Sequence, residues 1–196
     1  MVRIDRIYTR SGDSGKTSLG DGSRVDKVSQ RIITMGAVDE VNCQLGVAST
    51  FATESECHEL LTQLQQLLFD LGADLCCPLP DSTADDTCPR ISPHHVQWLE
   101  TRIDEATEKL QPLNSFILPG GQPLAASLHL ARAVCRRSEL EFLRLLAENE
   151  TGDLNHQVGV FLNRLSDLLF VLARLANDGG QSDVLWNPGR VISEES

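Results

Sequence analysis

The sequence holds no run of about 18 apolar residues, so no membrane-spanning helix is expected. It has no excess of positive charge: 17 lysines and arginines stand against 28 aspartates and glutamates, for a formal net charge of −11. That balance argues against a general nucleic-acid binder, which presents a basic face. It leaves room for a local basic pocket inside an acidic shell. The opening MVRIDRIYTR lacks a long apolar core and a small-residue cleavage site. No secretory leader is therefore expected, and a cytoplasmic protein is. The six cysteines (Cys43, Cys57, Cys76, Cys77, Cys88 and Cys135) form no CxxC pair and no regular framework, which predicts reduced thiols. Cys76, Cys77, Cys88, His94 and His95 fit zinc spacings poorly, so no metal ligands are assigned. Strand signals are nearly absent, and no internal repeat or low-complexity segment stands out.

What is present reads as helix after helix. The 196 residues predict a single domain able to bury a core. Residues 1–27 are polar, glycine-rich and non-periodic, hence an arm. Apolar residues then recur every three or four positions from Ser29 to Thr50 (Ile33, Ala37, Val41, Leu45, Ala48) and again from Glu56 to Cys76. The proline- and aspartate-rich CPLPDSTADDTCPR is a surface loop. Ser92 and Pro93 predict the N-cap and first position of a third helix, running toward Leu110. Two more helices follow, from Pro123 to Ala147 and from His156 to Asn177. The expected fold class is all-α: a five-helix bundle over 28–178, with the glycine-rich arm before it and an irregular tail over 179–196.

Three clusters do not read as packing. TRSGDSGKTSLGDGSR contains GKT, the end of a phosphate loop, but Arg10 stands where that loop needs its first glycine. Gly20 and Gly22 also interrupt any helix that would follow. The stretch is either a flexible arm or an anion cradle, because Thr9, Arg10, Gly12, Lys16, Thr17, Ser18, Arg24 and Lys27 form a dense set of phosphate-type donors. In GAVDEVN, Asp39 and Asn42 share a helix face and Glu40 points elsewhere. Gly36 there implies close approach by something, or the group is plain surface. In ARAVCRRSELE, Arg132, Arg136 and Glu139 stack on one stripe, with Arg137 about 100° away from Arg136. Stacked arginines want an anion or carboxylates. A solvated face pairing with Glu139 and Glu141 is the other reading. The last helix sets Leu162, Leu165, Leu169 and Leu172 on a core stripe. Asn163, Asp167, Phe170 and Arg174 form a second stripe, facing water or a subunit interface. FILPGG, with Phe116, is a glycine-hinged connector or the cap of a pocket.

TRSGDSGKTSLGDGSRVDK, GAVDEVN, FILPGG, RAVCRRSE, LNRLSDLLFVLAR and VLWNPG occur in this order, from Ile7 to Pro188. That combination resembles the PduO-type ATP:cob(I)alamin adenosyltransferases. The resemblance implies a five-helix bundle forming a homotrimer, with active sites between adjacent subunits. It implies ATP with Mg²⁺ and a cobalamin as what the protein takes, and adenosylcobalamin and triphosphate as products. Carried over position by position, Thr9, Arg10, Ser11, Gly12, Thr17, Ser18 and Lys27 would hold ATP. Arg136, Arg137 and Glu139 would contact triphosphate and ribose, and Asn163 would lie at the nucleotide. Asp39 and Arg132 would form a salt bridge across the subunit interface near the corrin. Phe116 would sit under the corrin and displace its lower axial ligand. A flavin-type reductase and an adenosylcobalamin-dependent enzyme are the further partners implied. One departure is CRRSEL, where the family usually has CRRAER: Leu140 removes a positive charge.

The chemistry implied is displacement at the ribose C5′ carbon by Co(I), itself a strong nucleophile. The sequence agrees in lacking a GxSxG elbow or an obvious Cys–His or Ser–His arrangement. Catalysis would come from positioning and from arginines that stay charged on the triphosphate. A non-catalytic corrinoid carrier regulated by ATP is the alternative reading. The arm's glycines and few apolar residues predict disorder without nucleotide.

Overall fold

The computed structural model describes residues 8, 10–80 and 86–189. Five helices carry the fold: α1 (Gln30–Ser49), α2 (Ser55–Cys76), α3 (Pro93–Thr107), α4 (Pro123–Glu148) and α5 (Gln157–Leu175). The packing order across the bundle is α2, α1, α4, α5, α3, so α4 lies at the centre. Each helix places its periodic apolar residues inward, among them Leu45, Leu61, Leu68, Leu99, Leu128, Phe142, Phe161 and Leu165. Burying each such side chain contributes about 1.5–3 kcal/mol. Polar stitches fix the α1–α4 crossing. Ser138 donates to the Ala37 carbonyl at 2.7 Å, and Gln30 donates to the Glu141 carboxylate at 2.8 Å. No helix among the described residues is long and apolar enough to cross a membrane.

The expected third-helix start is present. Pro93 opens α3, and the Ser92 backbone N–H donates to His95 Nδ1 at 3.0 Å, which gives that histidine a capping role. The arm differs from expectation. Instead of an unstructured segment, its described part contains an antiparallel hairpin of β1 (Lys16–Ser18) and β2 (Arg24–Asp26), in which Thr17 faces Val25. Leu19 is buried and anchors the turn, and the Gly20 N–H donates to the Cys76 carbonyl at 2.8 Å. A Cβ on Gly20 would lie 2.5 Å from Cys77 Sγ, so only glycine lets the hairpin sit this close to the end of α2. Three-residue strands are too short to leave a periodic signal.

The cysteines also depart from the reduced-thiol reading: Cys77 and Cys88 are joined as a disulfide. Arg90 ties the end of α2 to Pro78 and Asp86. Its guanidinium donates to the carboxylates of Asp74 and Asp86 and to the carbonyls of Cys77 and Pro78. Asp74 is buried, and it also accepts from the Ile91 N–H and from Asn155.

The tail is not simply irregular as far as residue 189. The Leu118 N–H donates to the Val184 carbonyl at 2.8 Å, and the Trp186 N–H donates to the Phe116 carbonyl at 2.7 Å. This short ribbon ties FILPGG to VLWNPG. A buried polar knot holds its base. Arg174 pairs with Asp183 at 2.9 Å, and Asn177 bonds Asp183, the Gly120 carbonyl and the Gln122 N–H. Arg174 is therefore buried, not on a stripe facing water or a subunit interface, because Asp183 returns to meet it. Gly121 has φ +100°, and a Cβ there would lie 2.1 Å from Asn177 Oδ1. Gly121→Ala should lower stability by about 2 kcal/mol or more, since backbone strain of about 1–3 kcal/mol adds to a clash with a buried amide. The midpoint of urea unfolding reads this; an unchanged midpoint would mean the knot does not hold the ribbon.

Candidate functional site

The hairpin, the exposed side of α4 and the 111–122 loop present the residues singled out above. In the arm, Arg10 adopts a left-handed backbone conformation (φ 61°), and glycines at positive φ turn the chain at Gly15 and Gly22. Arg24 braces the hairpin by donating to the Ser11 carbonyl at 3.0 Å and to Ser18 Oγ at 3.3 Å. Lys27 lies directly against Gly12, where a Cβ would come within 2.8 Å of its Nζ. Lys16 pairs with Asp26 at 2.9 Å on the exposed surface. Thr9 lies outside the described residues.

On α4, Arg136 is exposed and makes no ion pair among the described residues, while Arg137 pairs with Glu40 of α1. Arg132 is half-buried, and its Nε has no hydrogen-bond partner among the described residues. Burial first, and the neighbouring Arg136 charge second, disfavour the Arg132 cation. Two stacked guanidinium groups, one of them partly desolvated, create a place where an anion is stabilised. Asn163 of α5 donates to Glu139 of α4 at 2.9 Å and accepts from Arg164 at 2.9 Å. The sequence-derived pairing of Glu139 with the α4 arginines is thus replaced by a bond to Asn163.

Phe116 is 77% exposed, with its ring centroid 6.1 Å from that of Trp186. An exposed ring on a loop whose backbone is tied to the tail is an aromatic ledge held in place and left open to a partner.

Some predicted residues meet and others do not. Glu139 joins Asn163, but Asp39 and Arg132 make no ion pair among the described residues. Among the described residues, no hydrogen bond or ion pair joins Lys16, Thr17, Ser18 or Lys27 to Arg132, Arg136, Arg137 or Asn163. Gly36 has open space around it, so nothing among the described residues approaches it closely. Cys76, Cys77, Cys88, His94 and His95 form no metal cluster among the described residues. The sequence singled out VLWNPG only as a motif, without the contact of Trp186 with Phe116, and it missed the Glu40–Arg137 pair and the Arg174–Asp183–Asn177 knot.

Fold and site define the class first: a helical bundle presenting a basic stripe, without the parallel sheet of a phosphate-loop enzyme among the described residues. The profile of the Cobalamin adenosyltransferase family matches residues 7–176, and the chain belongs to that family. It is similar to the corrinoid adenosyltransferase of Mycobacterium leprae (strain TN), at 44% identity over 96% of this chain and 98% of that protein. The cobalamin adenosyltransferase of Cupriavidus metallidurans is 43% identical over 96% of this chain and 97% of its own length. Among solved structures, a variant PduO-type ATP:corrinoid adenosyltransferase from Lactobacillus reuteri, complexed with cobalamin and ATP, superposes with a TM-score of 0.83. It is 36% identical, and the match covers 93% of this chain and 99% of that one.

Proposed function

We propose that the chain transfers the 5′-deoxyadenosyl group of ATP to cob(I)alamin, at sites completed between copies in a homotrimer. The observation that carries the shared-site reading is the division of the donor set. Among the described residues no hydrogen bond or ion pair joins Lys16, Thr17, Ser18 or Lys27 to the α4 arginines, Arg132 Nε is unpartnered, and Asp39 is exposed. An inter-subunit bridge from Asp39 to the terminal nitrogens of Arg132 would pair the two charges. The hairpin, with Thr9, Arg10, Ser11, Gly12, Thr17, Ser18 and Lys27, would wrap the nucleotide. Arg136, Arg137, Glu139 and Asn163 would hold its triphosphate and ribose, and Phe116 would underlie the corrin.

The chain's own contribution is binding, orientation and charge stabilisation; the cobalt of the corrinoid substrate supplies the nucleophile. No three carboxylate, histidine or cysteine groups converge among the described residues. Mg²⁺ therefore fits as an ion arriving on the triphosphate, as is usual for magnesium at phosphate sites, and not in a protein cage. A flavin-type reductase would supply the electron for Co(I), and an adenosylcobalamin-dependent enzyme would take the product, all in the cytoplasm.

Mixing inactive Asp39→Ala and Arg132→Ala protomers tests the shared site. Mixed assemblies contain an interface with both native residues, so adenosylcobalamin formation should reappear on mixing. If each chain held a whole site, both protomers would stay dead.

A further inference from the structure

His129 of α4 is 3% exposed, and neither of its ring nitrogens has a hydrogen-bond partner among the described residues. The buried core of the bundle is otherwise largely apolar. An unpaired buried imidazole costs about 1–3 kcal/mol relative to a satisfied or apolar group. One turn along the same helix, Arg132 Nε is another orphan. Residues three apart on a helix are neighbours, and the Arg132 charge acts on the His129 ring. An arginine Nε–H can only donate, and a neutral imidazole offers one acceptor nitrogen. The two unpaired groups are thus complementary in kind.

We infer that His129 is a positioning residue whose neutral ring accepts the Nε–H of Arg132, directly or through one water, and so aims the guanidinium at the carboxylate of Asp39 from a second copy. The inference rests on the shared-site reading above. The two groups are not bonded in the single chain; a carboxylate arriving at the terminal nitrogens turns the guanidinium into place. His129 also meets the Phe170 ring of α5 edge-on, with centroids 6.2 Å apart.

The ring is kept neutral chiefly by burial, and then by Arg132; Asp183 opposes them. Asp183 belongs to the segment after α5 and is itself held by Arg174 of α5, while among the described residues no charged group of α1 acts on the ring. A protonated ring would have no acceptor and would repel Arg132. Activity should fall as the pH drops through a value below the ordinary 6.5 of histidine.

Three substitutions of His129, and a spectrum compared between the wild type and Arg132→Lys, test this. His129→Phe should lower kcat/KM for the corrinoid about 10- to 100-fold, the range for losing a hydrogen bond to a charged group, with unfolding stability unchanged or higher. His129→Asn places an oxygen where Nδ1 was, and His129→Gln where Nε2 was. One of them should restore most of the activity, and its rate should no longer decline on the acid side. In the assembled protein, the nitrogen NMR resonance of the accepting ring atom should move in Arg132→Lys, which reads the bond without turnover. The inference is overturned by a fully active His129→Phe, by two amide variants as weak as His129→Phe, or by a resonance that does not move. A wild-type protein that forms no adenosylcobalamin would instead overturn the functional reading, and the NMR readout would still decide the bond.

Discussion

Phe116→Ala should reduce adenosylation from cob(II)alamin by about 100-fold, equivalent to roughly 2.7 kcal/mol of barrier, while leaving ATP dissociation nearly unchanged. The structure separates these two effects. The Phe116 ring is 77% exposed and supports no core packing, so its removal should cost little stability. Its backbone is held independently of the ring by the bond from the Trp186 N–H to its carbonyl and by the neighbouring Ser115 hydroxyl, which donates to the Trp186 carbonyl at 2.7 Å. The loop will therefore keep its course when the ring is gone. In the role proposed for Phe116, what is lost is an apolar surface that would displace a polar axial ligand without offering cobalt a replacement, and so make Co(II) easier to reduce. The check is a pair of measurements on one sample: steady-state rates with cob(II)alamin and reductant, and calorimetric titration with ATP. Equal loss in both would remove Phe116 from the corrin role.

Arg136→Ala should lower kcat/KM for ATP by about 10²–10³-fold, the range seen when one preorganised donor to a developing anion is removed. Arg136 is the sharpest choice on α4 because it has no carboxylate partner among the described residues. Arg137, by contrast, is engaged with Glu40. Taking away Arg136 also removes the charge that acts on Arg132. The folded state should therefore be no less stable, and the loss can be assigned to substrate. Kinetics with ATP at saturating corrinoid, alongside thermal unfolding, will show it. Near-normal kinetics would mean the triphosphate lies elsewhere.

The helices were legible because their signals are local. Ser92–Pro93 marks a start by its own chemistry, and the leucine spacing of α2 and α5 reports which face is buried. The features that escaped the sequence depend on distant partners. Arg174 reads as part of a polar stripe until Asp183 returns to neutralise it. Cys77 and Cys88 carry no framework spacing, and their pairing, beside the Arg90 bond to the Cys77 carbonyl, shows only in the fold. The hairpin rests on one buried residue, Leu19, and one close approach, at Gly20. His129 was invisible for a different reason: on a helix face its position is that of a core residue, and only the missing partners reveal it. The site residues were recognisable as donors, but their division over unconnected parts of one chain appears only in three dimensions.

The central claim is tested most directly by anaerobic incubation of the protein with ATP, Mg²⁺, cobalamin and a strong reductant. Adenosylcobalamin should form, seen by its light-sensitive cobalt–carbon absorption, with one inorganic triphosphate released for each molecule formed. Corrinoid and ATP bound without a cobalt–carbon bond would make the protein a carrier, and release of diphosphate in place of triphosphate would contradict displacement at C5′.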